Sequence, residues 1–421
     1  MTFELNKQVN LHIIPNDKYK TVKILVRFAT PLQAELSSKR SLLASLLETN
    51  SLNFPNQIDL SKKLADLYGA SFDVSVSRTG NHHYLTVSLN IINDKLVPSG
   101  ISVLEEAVEF LKEIIFHPHI KDNAFDQETF DREQANLIAY IESIFDDKQA
   151  YAAMSLQDLF FLNNKNQRTP SFGNIQDISN ETSEGIAAYY HDMIHHDKID
   201  ILVIGDVAEG YVTRCFKDFG FTDRPSINSE LFYVQPLNNV IQQKSQVLPV
   251  IQSKLNIAYH CDIYYYDDLY FPLMVFNGLF GGFPHSKLFL NVREKHSLAY
   301  YASSSLDPFR GLVTVQTGID RTNRDRVLRL INEQLRDLTL GKFDMESFEQ
   351  TKKMLINQYL LSLDNQRALM EQEYLYLNVP KARLSQKEWI ERMNQVTPDL
   401  VQEVATHINL QAVYFMEGEK E

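Results

Sequence analysis

NGLFGGFPHSKLFLNVREKHSLAYYASSS, residues 277–305, changes character twice, and those two changes decide what kind of fold this is. Gly278, Gly281 and Gly282 open it as a glycine turn. Residues 286–295 then carry apolar side chains at helical spacing, and residues 298–305 run as a strand. Arg293 and Tyr300 stand seven residues apart, one near the end of the helix and one near the start of the strand. A guanidinium and a phenol at such a junction can both donate to a peptide carbonyl from one side.

Working outward, the second half reads as a strand over 250–259, a helix over 267–279 and then the quoted segment. Strands over 298–305 and 312–317, joined by Asp-Pro-Phe-Arg-Gly, long helices over 323–340 and 345–363, and a closing strand over 411–416 complete it. The first half has the same order. Strands over 9–15 and 21–29 flank a Pro-Asn-Asp turn, and Ser37 or Ser38 is the expected N-cap of a helix over 39–48. A helix from Asp59 or Leu60 leads to strands over 71–77 and 84–92. Long helices follow over 97–116, 125–146 and 149–161, and a helix over 184–194 precedes an apolar strand over 199–204. The closest local echo sets LYGASFDVSVSRTGNHHYLTVSLNI (67–91) against HSLAYYASSSLDPFRGLVTVQTGI (296–319). Each is a helix end, a strand, an Arg-containing glycine turn and a strand, which points to an internal duplication. The expected class is α+β with two similar α/β layer domains: 1–222, a connector over 223–247, and 248–421.

The totals agree. A chain of 421 residues exceeds one ordinary core and suggests two domains of about 200 residues. With 44% apolar and 23% charged residues it is globular in composition, without a low-complexity tract. Its net charge of -13, from 41 basic and 54 acidic residues, argues against a nucleic-acid surface, where affinity comes from neutralising phosphates. Cys215 and Cys261 lie far apart and offer neither a disulfide framework nor a cysteine zinc site. The N-terminus reads as a strand rather than a signal, and no run of about 18 apolar residues suggests a membrane span. The expected location is cytoplasmic.

Asn50-Ser51…Phe54-Pro55, Leu67-Tyr68-Gly69-Ala70, Phe116-His117-Pro118, Val203-Ile204-Gly205-Asp206-Val207 and, above all, Leu288-Phe289…Val292-Arg293-Glu294-Lys295…Leu298-Ala299-Tyr300 give the chain its resemblance. It resembles the pitrilysin family of inverted-zincin metallopeptidases along its whole length. The resemblance implies two α/β domains of the mitochondrial processing peptidase type, forming half of a clamshell around unfolded peptide, and a dimer of such chains. Family chemistry uses a His-x-x-Glu-His helix, whose two histidines bind zinc at i and i+4 with the Glu as general base, and a further Glu from a later helix. Aligned on Phe54-Pro55, the motif positions here are Ser41, Ala44 and Ser45, and the later ligand position, seven residues after Glu133, is Tyr140. Shifting the register to use Glu48 supplies no histidine. Serine hydroxyls do not replace imidazoles on zinc, so no metal or other cofactor is expected on this chain.

By the same resemblance, Arg293 and Tyr300 match residues that contact the substrate backbone, and the Gly278–Pro284 glycine turn, with Gly281 and Gly282, matches a loop near the substrate entrance. In two-chain members the metal-free subunit can supply the Arg and the Tyr. The resemblance therefore implies an inactive subunit that pairs with a zinc-bearing homologue to process peptide; a homodimer of the isolated chain is left open. Within the family the resemblance extends to the bacterial branch associated with modification of elongation factor P by a 5-aminopentanol group. The alternative from another class is a peptide-binding or scaffold protein with no role in catalysis. His82-His83 and His117-Pro-His119 invite a metal assignment, but adjacent strand residues face opposite ways. His195-His196 reads as a helix C-terminal cap.

Overall fold

The computed structural model describes residues 1–227 and 229–419 and divides into two compact units. The first comprises Met1–Ser143 with Thr169–Glu230, the second Ile144–Arg168 with Leu231–Glu421.

In the first unit β1 (Thr2–Asn6), β2 (Val9–Pro15), β3 (Thr21–Pro31), β4 (Ser71–Thr79), β5 (His82–Ile92) and β8 (Lys198–Gly205) form one sheet in the order β1-β2-β8-β3-β5-β4. A short hairpin, β6 (Ile120–Lys121) and β7 (Ala124–Phe125), stands apart from it. Only β2 and β8 run parallel. The β3 alternation places Val22, Ile24, Val26 and Phe28 on one face, all buried. Helices α1 (Ala34–Thr49), α2 (Gln57–Asp66), α3 (Val103–Phe116) and α4 (Gln127–Asp146) belong to this unit. Of these, α1 and α3 meet each other and the sheet, burying Leu42, Leu43, Leu46 and Leu47 of α1 with Leu104, Leu111 and Ile114 of α3.

Two boundaries differ from the sequence reading for clear reasons. The first is the start of α1, which begins at Ala34 with Gln33 as an extended N-cap, so Ser37 and Ser38 lie inside the helix. Ser37 Oγ donates to the Gln33 carbonyl instead of capping. Ser38 is buried against Gly173 (φ +80°), whose missing side chain leaves room for the Ser38 backbone. The second is α3, which starts at Val103 rather than 97, because Pro98 and left-handed Gly100 break the preceding segment.

The second unit repeats the plan. Its strands are β9 (Gln242–Leu248), β10 (Ser253–Cys261), β11 (Ala299–Asp307), β12 (Leu312–Ile319) and β13 (Ile408–Gly418), in the order β11-β12-β10-β13-β9. Read from the other edge this is β9-β13-β10-β12-β11, which matches β2-β8-β3-β5-β4 strand for strand, and again only the outermost pair, β9 and β13, is parallel. Helices Tyr270–Asn277, Arg324–Thr339 and Met345–Ser362 contribute to the core on one face with Leu255, Ile257, Tyr259, Val313 and Val315.

The opposite face is covered by α5 (Lys148–Phe160), which the sequence order had placed with the first half. Its Ala152, Leu156 and Phe160 pack on Ala258, Leu312, Ala412, Tyr414 and Met416. These are the alternate residues of strands whose other faces are already filled, so only a helix from outside that stretch could complete the layer. Residues 231–247, expected to form a free connector, lie within the second unit, where β9 pairs with β13.

Candidate functional site

The residues that the family resemblance matches to zinc positions, Ser41, Ala44, Ser45 and Tyr140, lie on α1 and α4. Ser41 and Ser45 share one face of α1, one turn apart. Ser41 is buried and its hydroxyl has no hydrogen-bond partner. Ser45 Oγ turns back to the Ser41 carbonyl at 3.3 Å, and Thr49 Oγ1 to the Ser45 carbonyl at 2.8 Å. Ala44, also buried, offers only a methyl group where a general base would stand. On α4, Tyr140 is 57% exposed, whereas Glu133 is buried and held by Arg132 Nε at 2.9 Å and Asn136 Nδ2 at 3.3 Å. Glu48 retains solvent contact, yet partial burial of its carboxyl, then the charges of Asp73 and Glu133, push its pKa up. Among the described residues no group of three or more His, Cys, Asp or Glu side chains is placed to hold a metal ion.

The motif loop that follows α1 is a fastening. Ser51 Oγ and the Asn53 backbone N–H donate to Glu113 Oε1 at 2.8 and 2.7 Å, and Asn53 Nδ2 donates to Oε2 at 2.7 Å. Asn50 Nδ2 reaches Thr129 Oγ1 at 2.9 Å. The histidine pairs separate as strand geometry requires. His82 Nε2 lies 2.6 Å from Ser229 Oγ, and His83 Nε2 lies 2.8 Å from the Ser171 carbonyl. His195 and His196 place Nδ1 within 2.7 and 2.9 Å of the His191 and Asp192 carbonyls, a turn back in their own helix.

Burial, followed by the charge of Arg40, pushes His83 down to about 3. Its folded pKa thus lies below the ordinary histidine value of 6.5. The unfolded chain therefore takes the proton first as pH falls. This group costs nothing above 6.5 and removes stability progressively from there towards 3, at up to about 1.4 kcal/mol per pH unit. The midpoint of urea denaturation should fall from pH 7 to pH 5, and His83→Gln should flatten that slope. An unchanged slope would clear His83 of the effect.

In the second unit the glycine segment is not a turn. Helix Tyr270–Asn277 continues into Gly278–Gly282 with wider, i→i+5 winding, and Leu288–Lys295 is wound the same way. None of the three glycines has a positive φ. Their role is close approach: a Cβ on Gly281 would stand 2.7 Å from the Ser304 backbone nitrogen of β11. Gly281 is consequently buried under the strand, while Gly282 is exposed. Ser304 Oγ completes the joint by donating to Asn277 Oδ1 at 2.7 Å.

Arg293 and Tyr300 both belong to the junction that follows. Ser297, in left-handed conformation at φ +48°, turns the chain from helix to strand. In β11, Ala299 pairs with Ile319 and Tyr301 with Gly318, so Tyr300 is the extra residue of a β-bulge at a sheet edge. It is 71% exposed. Its neighbour Tyr301 is fixed by donating to Gln149 Oε1 of α5, and Gln149 Nε2 in turn donates to Gln316 Oε1 at 2.8 Å. The Arg293 guanidinium sits 4.5 Å from the centre of the Phe289 ring, with Glu294 Oε1 3.5 Å from Nε, and its side chain is 41% exposed. Sequence reasoning missed both Gln149 and Asn277 as supports, because neither lies near its partner along the chain.

Residues 180–355 match the family model described as "Peptidase M16 inactive domain". Over 414 residues the chain is 32% identical to the "Probable inactive metalloprotease YmfF" of Bacillus subtilis, covering 97% of this chain and 95% of that protein. A crystal structure of a conserved protein from Enterococcus faecalis superposes with a TM-score of 0.97 at 54% identity, covering 100% of this chain and 99% of that one. The M16 inactive-domain structure from Pseudomonas fluorescens shares the fold at a TM-score of 0.80 and 14% identity, covering 100% and 98% of the two chains.

Proposed function

This chain belongs to the M16 (pitrilysin) peptidase family, among its inactive members, and from that premise we propose that it is the metal-free subunit of a two-chain peptidase. In this reading a zinc-bearing homologue supplies the metal and the general base. Arg293 and Tyr300 supply hydrogen bonds to the backbone of the bound peptide. The observation that carries the reading is an asymmetry of loss. By the family resemblance Ser41, Ala44, Ser45 and Tyr140 stand at the zinc positions without one ligand of the family set, while a bulge leaves Tyr300 exposed and Arg293 keeps a partly exposed side chain in the same helix–strand segment. A bulged, exposed tyrosine at a sheet edge has little to do for the core.

One observation favours the second reading, a peptide-binding or scaffold protein. Gly281 is occupied in packing under Ser304, leaving only Gly282 of that pair open to a peptide.

Co-purification from the native cell, with zinc measured on each chain, tests the proposal. The expected result is a zinc-bearing M16 homologue in complex with this chain, with roughly one zinc on the homologue and less than about a tenth of that here. Stoichiometric zinc on this chain, with peptidase activity abolished by chelation, would overturn it. The finer assignment, a role in modifying elongation factor P with 5-aminopentanol, rests on the family resemblance. It is read from the mass of elongation factor P in cells lacking this chain: an intact adduct ends it.

A further inference from the structure

The first unit contains a cleft of about 360 Å³ lined by none of the residues assigned to either role. Its apolar lining includes Phe116 and Phe221. Three imidazoles also face it: His117, exposed after α3, and His191 and His195, one turn apart on the helix Ser183–His196. The remaining charged lining residue is Arg224, only 3% exposed.

Arg224 is one donor short. Its Nε donates to the Thr222 carbonyl at 3.2 Å and its Nη1 to the Asp197 carbonyl at 3.1 Å, but Nη2 is buried with no partner. Its guanidinium lies 5.0 Å from the centre of the Phe221 ring, but it has no carboxylate of its own. The nearby carboxylate, Asp197, is already committed to Arg40 Nη1 at 2.6 Å. Two guanidinium groups therefore share one buried carboxylate. The next acid, Asp192, faces His196 at 2.8 Å. The cost registers on the guanidinium itself: burial pushes Arg224 down to about 10 even though Asp197 opposes the shift. A buried donor without a partner is costly, and the common remedy is a bound ion, ligand or water. Guanidinium matches carboxylate and phosphate in geometry as well as charge.

We propose that this cleft binds an organic anion, a carboxylate or phosphate group carried on a small apolar or aromatic body, with Arg224 as the charge partner and His191 and His195 at the rim. The apolar lining takes the body and the imidazoles border the anion, Nδ1 of His195 being already turned to the His191 carbonyl and Nδ1 of His117 to Glu113 at 3.4 Å. A volume of about 360 Å³ falls in the range of small-ligand sites that combine an apolar wall with a few convergent polar groups.

Calorimetric titration of the full chain with benzoate and with phenyl phosphate tests this, with acetate and inorganic phosphate as controls. One or both aromatic anions should saturate a single site at least about tenfold more tightly than the controls. Whichever binds more tightly identifies the anionic group. Arg224→Gln should weaken that binding by about tenfold or more. Because Arg224 also holds two backbone carbonyls, a second variant guards against misfolding: His191→Ala with His195→Ala, both exposed, should weaken binding severalfold while leaving the melting curve in place. The proposal is overturned if no probe saturates up to about 10 mM. It is equally overturned if the controls bind as well as the aromatic anions, or if the histidine variant, folded, binds unchanged.

Discussion

Turnover by the proposed two-chain peptidase, once reconstituted, should fall by about two to three orders of magnitude when Arg293 is replaced by Ala or Tyr300 by Phe, the loss expected when a donor aimed at developing charge is removed. Assembly and melting temperature should stay as they were. The split between the two readouts follows from the junction. Tyr300 is the unpaired residue of a bulge and 71% exposed, so removing its hydroxyl costs the sheet no ladder bond. Arg293 leans on Phe289 and Glu294 at the surface, an arrangement worth about 1 kcal/mol or less. Tyr301→Phe is the internal control. It touches the same strand but removes the bond to Gln149 behind it, so it should affect stability before turnover. If Arg293→Ala and Tyr300→Phe both leave turnover unchanged, the chain is a scaffold and contributes no donors.

The second large effect concerns stability. Arg40 is completely buried on α1, and its guanidinium donates to Asp197 Oδ2 at 2.6 Å, Tyr189 Oη at 2.9 Å and the Phe28 carbonyl at 2.8 Å. Burial works against its charge, but Asp197 and then Tyr189 outweigh burial and keep its pKa above the ordinary value. For Asp197 the balance tips the other way: burial raises its pKa and Arg40 only partly restores it. Asp197→Ala leaves that guanidinium uncompensated and should destabilise the first unit by about 3–5 kcal/mol. The double variant Arg40→Met, Asp197→Leu should recover part of the loss, because it removes the desolvation costs of that pair while leaving Arg224 without its nearby carboxylate. Two probes separate the units. The single tryptophan, Trp389, lies in the second unit, whereas far-UV circular dichroism reports on both. A single variant that leaves the dichroism transition unmoved would show that the pair contributes little.

The two expectations differ in how far the sequence could have supplied them. Strand alternation in β3 and β5 and the matching order of elements in the two halves are local patterns, and the structure follows them. What no local pattern encodes is which surface an element will meet. The apolar stripe of α5 says that the helix is covered, and nothing in it says by the second sheet rather than the first. Gly278–Gly282 looked like a turn because glycine is usually read for its freedom of φ, yet here it serves the approach of a helix to β11. Arg40 gave no signal at all: an arginine among leucines on a short helix reads as a solvated edge until Asp197, 157 residues away, is placed beside it. The Arg224 cleft is a similar case, assembled from four separate segments.

The position of α5 also sets a schedule for synthesis. Its apolar face emerges from the ribosome well before β13, one of the strands that receive it. At a synthesis rate of about 5–20 residues per second, the stretch from Phe160 to Met416 takes about 13–50 s. Throughout that interval Ala152, Leu156 and Phe160 have no finished sheet to cover them. The second unit can close only after β13 has been made, so a nascent chain stalled before it carries an exposed greasy helix for a chaperone to shield.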